Sequence, residues 1–549
     1  MELREWQKQL KDKVIEAVKQ GFLVALNSPT GSGKTLFSLL VGLEVKGKIL
    51  YVVRTHNEYY PVYRDLKKIN SSLKFSFIVG KPTACPFAIK DVDSEDINCK
   101  YCEIKNAIEV IIDKSPFEKL NELKRKAIEE GFCPYYSLFE TSKDADVITI
   151  TYPYFFIEKY RNTLEIELND YFIIIDEAHN IDKVSEIEER MLSDFTLNMA
   201  IRQVKSEEVR KILSRVREEL KNLTYPDEKY IKLNKVPSLS EEELSILVDE
   251  YEELRKEAIK NKVISRIYLG SVIRFYATYS TGSFIPFSFS NRIVLKTLDL
   301  TQYYNLLNDE SLSILLMSGT LPPKDYLEKV LGITRKIYYI EVEKIIRKKV
   351  TGNYTCAIAL DVTSKYDFRS EIMWKKYASY LLKIYYQARK HILAVFPSYQ
   401  IMQNVMNNIN VNKILETEET KIDEIINIIG QNRDKKYIIG GVGRGKITEG
   451  IELTEDGRSL ISDVVLVGIP YPPEDDYMKM LSMRIAEKLG GKDKEYLIMI
   501  PALITVKQAI GRAIRNVNDN AKIWLLDKRY DSLWWKKNLN CFNSIKVRL

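Results

Sequence analysis

The strongest constraint on the fold of this chain is an alternation of short apolar runs with amphipathic stretches. Helices inserted between buried strands indicate a parallel α/β sheet, because parallel strands need a crossover between them. The amphipathic stretches 36–45 and 58–69 predict helices. The apolar runs predict strands at 22–26, 49–53, 75–79, 147–150 and 171–175, with a late strand at 311–317.

The same alternation resumes after residue 333 and predicts a second α/β domain. A helix is predicted at 374–388, and strands are predicted at 392–396, 437–440, 464–467 and 523–526. The similar rhythm of the two regions suggests a duplicated unit. A chain of 549 residues is long enough for several domains.

Two stretches interrupt the first α/β domain and predict its insertions. Residues 81–144 contain four cysteines and little strand pattern, which indicates a domain organised by metal. Residues 196–289 begin as charged helices and end in an aromatic-rich segment, which indicates a helical insertion. The predicted first domain therefore comprises 1–80, 145–195 and 290–332, and the second comprises 333–549.

Composition places the chain among folded proteins outside the membrane. Hydrophobic residues make up 45% and charged residues 29%, and the formal net charge of +7 permits a polyanionic partner without requiring one. No apolar run approaches the roughly 20 residues of a membrane span. The charged amino end has no signal core, so we expect a cytoplasmic protein without a membrane partner.

A phosphate-binding loop is predicted between the first strand and the helix that follows. In this motif the backbone N–H groups of Gly31, Ser32 and Gly33 cradle phosphates, Lys34 neutralises the β and γ oxygens, and Thr35 offers a hydroxyl to Mg²⁺. The match departs at its first position, where Ser28 replaces glycine. The alternative is a glycine-rich turn with a solvent-facing lysine.

Two carboxylates follow the apolar strand at 171–175. In the sequence Asp176-Glu177-Ala178-His179 they emerge at the carboxyl edge of the sheet, where α/β proteins bind ligands. Asp176 would hold Mg²⁺ and Glu177 would orient or deprotonate the attacking water. The alternative, an acidic cap on the next helix, is weakened by the neighbouring phosphate loop. Together the two motifs predict a magnesium-dependent NTPase.

The second α/β domain carries a cationic helix at 508–515. Gln508, Arg512 and Arg515 share adjoining parts of one helical face. Alone, such a helix is typical of a solvated surface. Because phosphoryl transfer needs cationic charge on the γ-phosphate, these arginines are candidate arginine fingers.

Four of the six cysteines lie between the phosphate loop and Asp176, at Cys85, Cys99, Cys102 and Cys133. Four thiolates suit either structural Zn²⁺ or an iron-sulfur cluster, and only Cys99 and Cys102 form a C-x₂-C pair. The residues alone leave both metals open. The remaining two, Cys356 and Cys541, are expected to be ordinary core residues.

The order of the motifs resembles that of superfamily 2 helicases. It comprises the phosphate loop at 28–35, Val53-Arg54-Thr55-His56, DEAH at 176–179, Ser318-Gly319-Thr320, residues 445–452 and residues 508–515. With four cysteines ahead of the DEAH box, the chain most resembles the xeroderma pigmentosum group D (XPD) family of DNA helicases. The resemblance spans nearly the whole chain and suggests an archaeal member.

This resemblance implies two RecA-like motor domains, a [4Fe-4S] domain at 81–144 and an arch domain at 196–289. It implies ATP-driven 5′ to 3′ movement on single-stranded DNA and unwinding of forked DNA, in repair of the nucleotide excision type with repair-protein partners. We expect a monomer. The resemblance also decides between the metals in favour of iron-sulfur.

The resemblance assigns roles to further residues. Lys34, Thr35, Asp176 and Glu177 would bind and hydrolyse ATP from one motor domain, and Gln508, Arg512 and Arg515 would approach from the other. Arg4 and Gln7 resemble the family's adenine-reading element, although an ordinary amphipathic helix fits that short match equally well. Four residues would couple hydrolysis to strand movement, namely Ser318, Thr320, Glu449 and Gly450.

Candidate DNA contacts are Arg54, Thr55, Lys81 and Tyr135, because single strands are held by basic grooves with aromatic platforms. Further aromatic candidates are Tyr136, the segment at 152–156, Trp534 and Trp535. For each aromatic residue the alternative is packing in the core.

Two rival functions remain open at the level of sequence. An RNA helicase or a non-unwinding translocase would share the DEAH box, although the cysteine insertion favours DNA. A non-catalytic iron-sulfur scaffold that binds nucleic acid would have no use for intact Lys34, Glu177 and Arg512.

Overall fold

A computed structural model describes residues 3–89, 91–347, 349–417, 419–455 and 457–549. Its strands are β1 (Leu23–Asn27), β2 (Ile49–Val53), β3 (Phe75–Phe77), β4 (Val147–Thr151), β5 (Phe172–Ile175), β6 (Arg190–Ser193), β7 (Ile231–Lys232), β8 (Ile285–Phe289), β9 (Arg292–Lys296), β10 (Ser313–Ser318), β11 (Ile337–Glu341), β12 (Asn353–Ala359), β13 (His391–Phe396), β14 (Lys413–Leu415), β15 (Ile438–Val442), β16 (Thr454–Glu455), β17 (Arg458–Ser459), β18 (Ile461–Val467), β19 (Asn520–Leu526) and β20 (Ile545–Val547).

The α-helices of the same residues precede, separate and follow these strands. They are α1 (Glu5–Lys19), α2 (Lys34–Val45), α3 (Tyr59–Ile69), α4 (Lys81–Ala84), α5 (Pro116–Glu130), α6 (Pro134–Ser142), α7 (Tyr152–Phe156), α8 (Glu158–Arg161), α9 (Asp194–Gln203), α10 (Glu207–Leu223), α11 (Glu241–Lys260), α12 (Tyr268–Ser280), α13 (Lys324–Lys329), α14 (Val342–Ile346), α15 (Glu371–Gln387), α16 (Tyr399–Met406), α17 (Ile422–Gln431), α18 (Lys446–Gly450), α19 (Asp476–Leu489), α20 (Ile500–Ala513) and α21 (Leu533–Leu539).

The first motor domain is built on a parallel sheet whose described strands lie in the order β11-β1-β10-β5-β2-β4-β3. The strands predicted from the apolar runs, including the late one, are confirmed. β11 lies beyond the predicted domain end at residue 332, yet Leu23 pairs with Ile337 in parallel. The first sheet therefore extends to Glu341, and the predicted boundary at 332–333 was placed too early.

The second motor domain repeats this architecture with the described strand order β14-β15-β13-β18-β19-β12-β20, again in parallel. All four predicted strands and the predicted helix, which is α15, are confirmed. Ile358, Leu393, Ile439 and Val464 are among the buried residues of its core. The expected pair of α/β domains is thus present.

The insertion after β5 combines helices with an antiparallel sheet of order β6-β9-β8-β7. The helices α9 to α12 pack around a core that includes Leu213, Val216 and Phe275. β6 and β9 lie outside the predicted limits 196–289, and the aromatic-rich segment ends in β8 rather than in a helix. The arch is therefore wider than predicted and only partly helical.

Several aromatic residues that could have stacked on bases are instead core residues. In α7, Tyr152, Tyr154, Phe155 and Phe156 are all buried, and so is Trp535. The alternative of core packing is therefore confirmed at these positions. Among the described residues, no helix is both long and apolar enough to cross a membrane.

The two cysteines expected to be ordinary core residues are joined to each other. Cys356 on β12 and Cys541 after α21 are both buried, and they form a disulfide across 185 positions of the chain. The expected burial of both residues is confirmed, and the disulfide between them is a feature that the sequence did not predict. The bond ties the carboxyl-terminal segment to the second sheet.

We expect the Cys356→Ser/Cys541→Ser double variant to be less stable than the wild type by about 2–4 kcal/mol, because a long closed loop restricts the unfolded chain. Thermal melting without reductant measures the difference. With reductant the two proteins should melt together, since the bond is then absent from both. Equal melting temperatures without reductant would show that the bond contributes nothing.

Candidate active site

The phosphate loop lies between β1 and α2, as its motif requires. Gly31 and Gly33 have φ values of 76° and 89°, a left-handed conformation that suits glycine and turns the backbone into the start of the helix. Ser28 Oγ lies 2.8 Å from Ser32 Oγ. The serine that replaces the first glycine of the motif therefore forms a buried hydrogen bond across the loop. Lys34 begins α2 and lines the adjoining cavity.

The amino-terminal segment braces the loop through its carbonyls. Arg4 Nη1 donates to Gly31 O at 2.8 Å, Trp6 Nε1 donates to Ser32 O at 3.1 Å, and Gln7 Nε2 donates to Gly33 O at 2.9 Å. With the carbonyls engaged from outside, the loop holds the shape that a phosphate cradle needs. Arg4 and Gln7 therefore lie at the site that the resemblance indicated.

Asp176 and Glu177 follow β5 and face the phosphate loop. Two tyrosine hydroxyls hold them in place: Tyr51 donates to Asp176 Oδ2 at 2.9 Å, and Tyr152 donates to the carbonyls of both acidic residues. Burial, together with the charge of Glu177, raises the pKa of Asp176 to about 6. Asp176 is therefore short of positive charge, whereas the pKa of Glu177 is lowered despite its burial, because His179, Lys34 and the two arginines lie near it.

The opposite wall of the cavity is α20 of the second motor domain, which carries Gln508, Arg512 and Arg515. Burial, together with the charge of Arg515, lowers the pKa of Arg512 to about 10. The Arg512 side chain donates to the carbonyls of Thr448 and Glu449. Arg512 is therefore incompletely balanced by negative charge, whereas Arg515 pairs with Glu452 at 2.9 Å.

The two walls enclose a cavity of about 960 Å³. Lys34, Asp176 and Glu177 line one side, and Arg512 and Arg515 line the other. The predicted convergence of residues from the two halves of the chain is therefore present in this structure. An anion that carries a divalent cation would place the cation beside Asp176 and negative charge beside Arg512, so each of these two residues would gain the charge that it lacks.

A chain of polar side chains crosses between the motor domains beside this cavity. Burial lowers the pKa of His179 to about 4, so its ring is neutral near pH 7. His179 Nε2 contacts Gln508 Nε2, which can only donate, and His179 Nδ1 lies 2.6 Å from Ser318 Oγ. The hydrogen-bond pattern assigns the ring proton to Nδ1. Ser318, His179 and Gln508 thus form one connected path.

A second bridge involves Glu449, one of the residues assigned to coupling. Its buried carboxylate contacts Arg54 Nη1 and Lys183 Nζ of the first motor domain, both at 2.5 Å. Arg444 and Asp182 form a further cross-domain pair at 3.2 Å. Arg54, a candidate DNA contact, is therefore engaged with the second motor domain here, while Thr55 donates to Glu58.

The four predicted metal ligands, Cys85, Cys99, Cys102 and Cys133, line one small cavity together with Lys81 and Tyr135. Lys81 Nζ lies 5.9 Å from the centre of the Tyr135 ring. Burial raises the pKa of the Cys85 and Cys133 thiols. Within the described part of the chain, no three cysteine, histidine or acidic side chains are grouped as ligands of one metal ion.

Sequence reasoning missed several residues that position this site. Tyr51 and Tyr152 donate hydrogen bonds to Asp176, and Trp6 donates to the phosphate loop. Lys183 and Asp182 form ion pairs with residues of the second motor domain. The tyrosines lie within or directly after apolar strands, where aromatic residues are commonplace. No spacing signal distinguishes them from core residues.

Comparison with known proteins identifies the family. The chain is 57% identical to the ATP-dependent DNA helicase XPD of Sulfolobus acidocaldarius over 552 aligned positions, covering 100% of both chains. It belongs to the XPD helicase family. Residues 51–195 match the DEAD_2 family and residues 381–541 match the helicase C-terminal domain family.

Solved structures agree with this assignment to the XPD family. An XPD helicase structure superimposes with a TM-score of 0.97 at 56% identity, covering 100% of both chains. The structure of S. tokodaii Xpd4 has a TM-score of 0.70 at 23% identity, covering 99% of this chain and 100% of that one, and it supports the fold alone. The expected XPD architecture is therefore confirmed.

Gly31→Ala should impair ATP hydrolysis by about tenfold or more. The added Cβ would lie 2.2 Å from the carbonyl oxygen of Arg515 in the second motor domain, which is too close for the two domains to keep their present contact. Gly47→Ala is the matched control, since Gly47 has a similar φ of 74° but a Cβ added there would meet no atom within 4 Å. Phosphate release measures both variants. Equal losses in the two would mean that backbone strain, and not the approach of the two domains, limits activity.

Proposed function

We propose that this chain is an ATP-dependent DNA helicase that moves 5′ to 3′ on single-stranded DNA and unwinds forked DNA in repair. The observation that carries the proposal is the cavity between the two sheets, with Lys34, Asp176 and Glu177 facing Arg512 and Arg515. The full-length relative named as an ATP-dependent DNA helicase supports the activity. The polarity and the repair role rest on the family resemblance.

ATP hydrolysis follows from the charges that face each other. The loop N–H groups and Lys34 bind the phosphates, and Glu177 accepts a proton from the water that attacks the γ-phosphorus. The bond from that phosphorus to the ADP oxygen breaks as the new bond forms. Arg512 and Arg515 stabilise the charge that spreads over the γ-phosphoryl oxygens, with Gln508 on the same wall.

Mg²⁺ fits the residues at the carboxylate wall. Asp176 already accepts hydrogen bonds from Tyr51 and from the Glu177 N–H, yet its pKa remains raised, so a divalent cation would relieve the crowding of negative charge. Asp176 and Thr35 would hold the ion beside the phosphates. When bound, Mg²⁺ neutralises charge that develops during cleavage.

Coupling of hydrolysis to strand movement would use the two bridges beside the cavity. Ser318 contacts His179, which contacts Gln508, so a change at the γ-phosphate can reach both motor domains. Thr320 joins the same network through its N–H, which donates to Ser318 Oγ. Glu449 lies on α18, whose last residue is Gly450. Its backbone carbonyl accepts a hydrogen bond from the Arg512 side chain, and its carboxylate contacts Arg54.

We assign a [4Fe-4S] cluster to the cysteine cavity, because four thiols line it and four thiolates can hold such a cluster. Burial raises the pKa of these thiols, so they stay protonated until a metal displaces the proton, and the apolar residues Phe87, Ile97 and Ile104 line the same cavity. Zinc requires ligands that converge on one ion, whereas a cluster takes each thiolate on a different iron. The choice of the cluster over zinc rests on the family resemblance, and a bound cluster would stiffen the small domain.

The DNA path would pass the candidate contacts in the first motor domain. Lys81 and Tyr135 combine a cation with an aromatic ring next to the cysteine cavity, the pairing that a stacked single strand uses. Arg54 and Thr55 would contact the strand when Arg54 exchanges Glu449 for a phosphate. The arch would help to enclose the strand that emerges.

Lys34→Ala should lower ATP hydrolysis by about 100-fold or more and abolish unwinding, because the β and γ oxygens lose their neutralising cation. Binding of single-stranded DNA should stay near the wild-type level. Phosphate release, a fluorescent fork assay and DNA anisotropy measure the three properties. Lys19→Ala, an exposed lysine at the end of α1, is the control. Retained unwinding by the Lys34 variant would refute the proposal.

Cys99→Ser should lose the brown colour and the iron of the purified protein, because a cluster needs all four thiolates. Absorbance in the near-ultraviolet and blue, together with metal analysis, measures the loss. Cys356→Ser is the control, since Cys356 lies in the second motor domain and should leave iron content unchanged. A colourless wild type with stoichiometric zinc would overturn the cluster.

A further inference from the structure

A buried carboxylate of the second motor domain lies outside the motifs found in the sequence. Glu416 directly follows β14 and is only 2% exposed. Its Oε1 accepts a hydrogen bond from Lys446 N at 2.5 Å, and its Oε2 accepts one from Val442 N at 3.1 Å. Burial raises the pKa of Glu416, and the N–H groups of Val442, Lys446 and Ile447 act against this rise. The carboxylate is therefore held by the backbone of residues 441–447, which we call the glycine loop.

The glycine loop packs tightly around this carboxylate. A Cβ added to Gly445 would lie 2.5 Å from both carboxylate oxygens of Glu416, and one added to Gly441 would lie 2.9 Å from Oε2. Arg444 lies between the two N–H donors, and its φ of 61° belongs to the left-handed region. A residue with a side chain keeps such a conformation only when the contacts around it hold it there. Glu416 supplies two of these contacts, one on each side of Arg444.

The glycine loop continues into α18, which holds the side chain of Arg512. Thr448 Oγ1 donates to Val442 O at 2.8 Å, which ties α18 back to the loop. Arg512 Nε donates to Thr448 O at 3.1 Å, and Arg512 Nη2 donates to Glu449 O. The remaining nitrogen, Nη1, lies 4.0 Å from Glu452 Oε1, beyond hydrogen-bond distance. The carbonyls of α18 therefore fix the plane of a guanidinium group that lines the ATP cavity.

We propose that Glu416 is a positioning residue for ATP hydrolysis, which fixes the glycine loop and, through α18, the guanidinium group of Arg512. This inference rests on the role of Arg512 in the proposed function. Donors stabilise a transition state when they are already in place, and a misplacement of about 1 Å can cost about 100-fold in rate. Glu416 itself does not line the cavity. Its loss should therefore lower kcat and leave KM for ATP nearly unchanged.

Steady-state ATP hydrolysis by the full-length protein, with single-stranded DNA present, tests this role. Glu416→Gln keeps the shape of the side chain but places an amide N–H group against a backbone N–H group. We expect kcat to fall by about tenfold or more and KM for ATP to change by less than about twofold. Glu419→Gln is the matched control, because it makes the same change at an exposed residue nearby and should leave kcat unchanged. A wild-type kcat in Glu416→Gln overturns the positioning role.

A double-mutant cycle with Arg512→Lys separates positioning from general damage. Lysine keeps the positive charge but lacks the planar donors that α18 holds, so Arg512→Lys alone should lower kcat. Adding Glu416→Gln to it should lower kcat by less than about twofold more, because the group that Glu416 positions is already gone. Losses that multiply would show that Glu416 acts independently of Arg512, which overturns the inference. A wild-type kcat in Arg512→Lys would instead overturn the role of Arg512 in the proposed function.

A second variant covers the case in which Glu416→Gln does not fold. Gly445→Ala leaves the carboxylate unchanged but pushes it away from the glycine loop, since the added Cβ would lie 2.5 Å from both of its oxygens. We expect the same loss of kcat, of about tenfold or more, and again less than about twofold further loss in the Arg512→Lys background. Gly430→Ala, whose Cβ would meet no atom within 4 Å, is the control. A wild-type kcat in Gly445→Ala, or a loss that multiplies with that of Arg512→Lys, overturns the inference.

Discussion

Opposite charges that face each other across one buried cleft are the interaction on which this molecule depends. Asp176 and Glu177 are crowded on one wall, and Arg512 and Arg515 are crowded on the other. Glu177 is balanced by Lys34 and His179, and Arg515 pairs with Glu452, but burial and like charge raise the pKa of Asp176 and lower that of Arg512. The imbalance therefore lies on Asp176 and Arg512. A ligand bound by both residues would stabilise both, and it would therefore favour the arrangement in which the two motor domains are close together.

The parts of the site that could be predicted are those whose chemistry is local in the chain. An apolar strand followed at once by Gly31 to Thr35, or by Asp176 and Glu177, places these groups at the carboxyl edge of a parallel sheet. The parallel sheets themselves follow from the alternation of strands and helices. The outer limits of the sheets do not follow from this alternation. β11 pairs with β1 although more than 300 residues separate them, and its sequence alone would assign it to the start of the next domain.

Contacts between distant charged residues could not be predicted for a different reason. Glu449 meets Arg54 across 395 positions, and in a chain that is 29% charged no spacing marks one such pair among many. The disulfide between Cys356 and Cys541 could not be predicted from the sequence either, because two isolated cysteines cannot be distinguished from unpaired core residues. The family resemblance supplied roles for Arg54 and Glu449, but not the fact that they contact each other.

The cavity of the four cysteines has one wall that does not belong to their own domain. Ile259, at the end of α11, lines it, and Ile264 pairs with the backbone of Phe87 and Ile89 nearby. The ribosome synthesises these arch residues after the four cysteines, and they cover one side of the cavity once the arch has packed against the cysteine domain. A group bound by the four thiols would therefore be enclosed partly by the arch, which is made later in the chain than the cysteines.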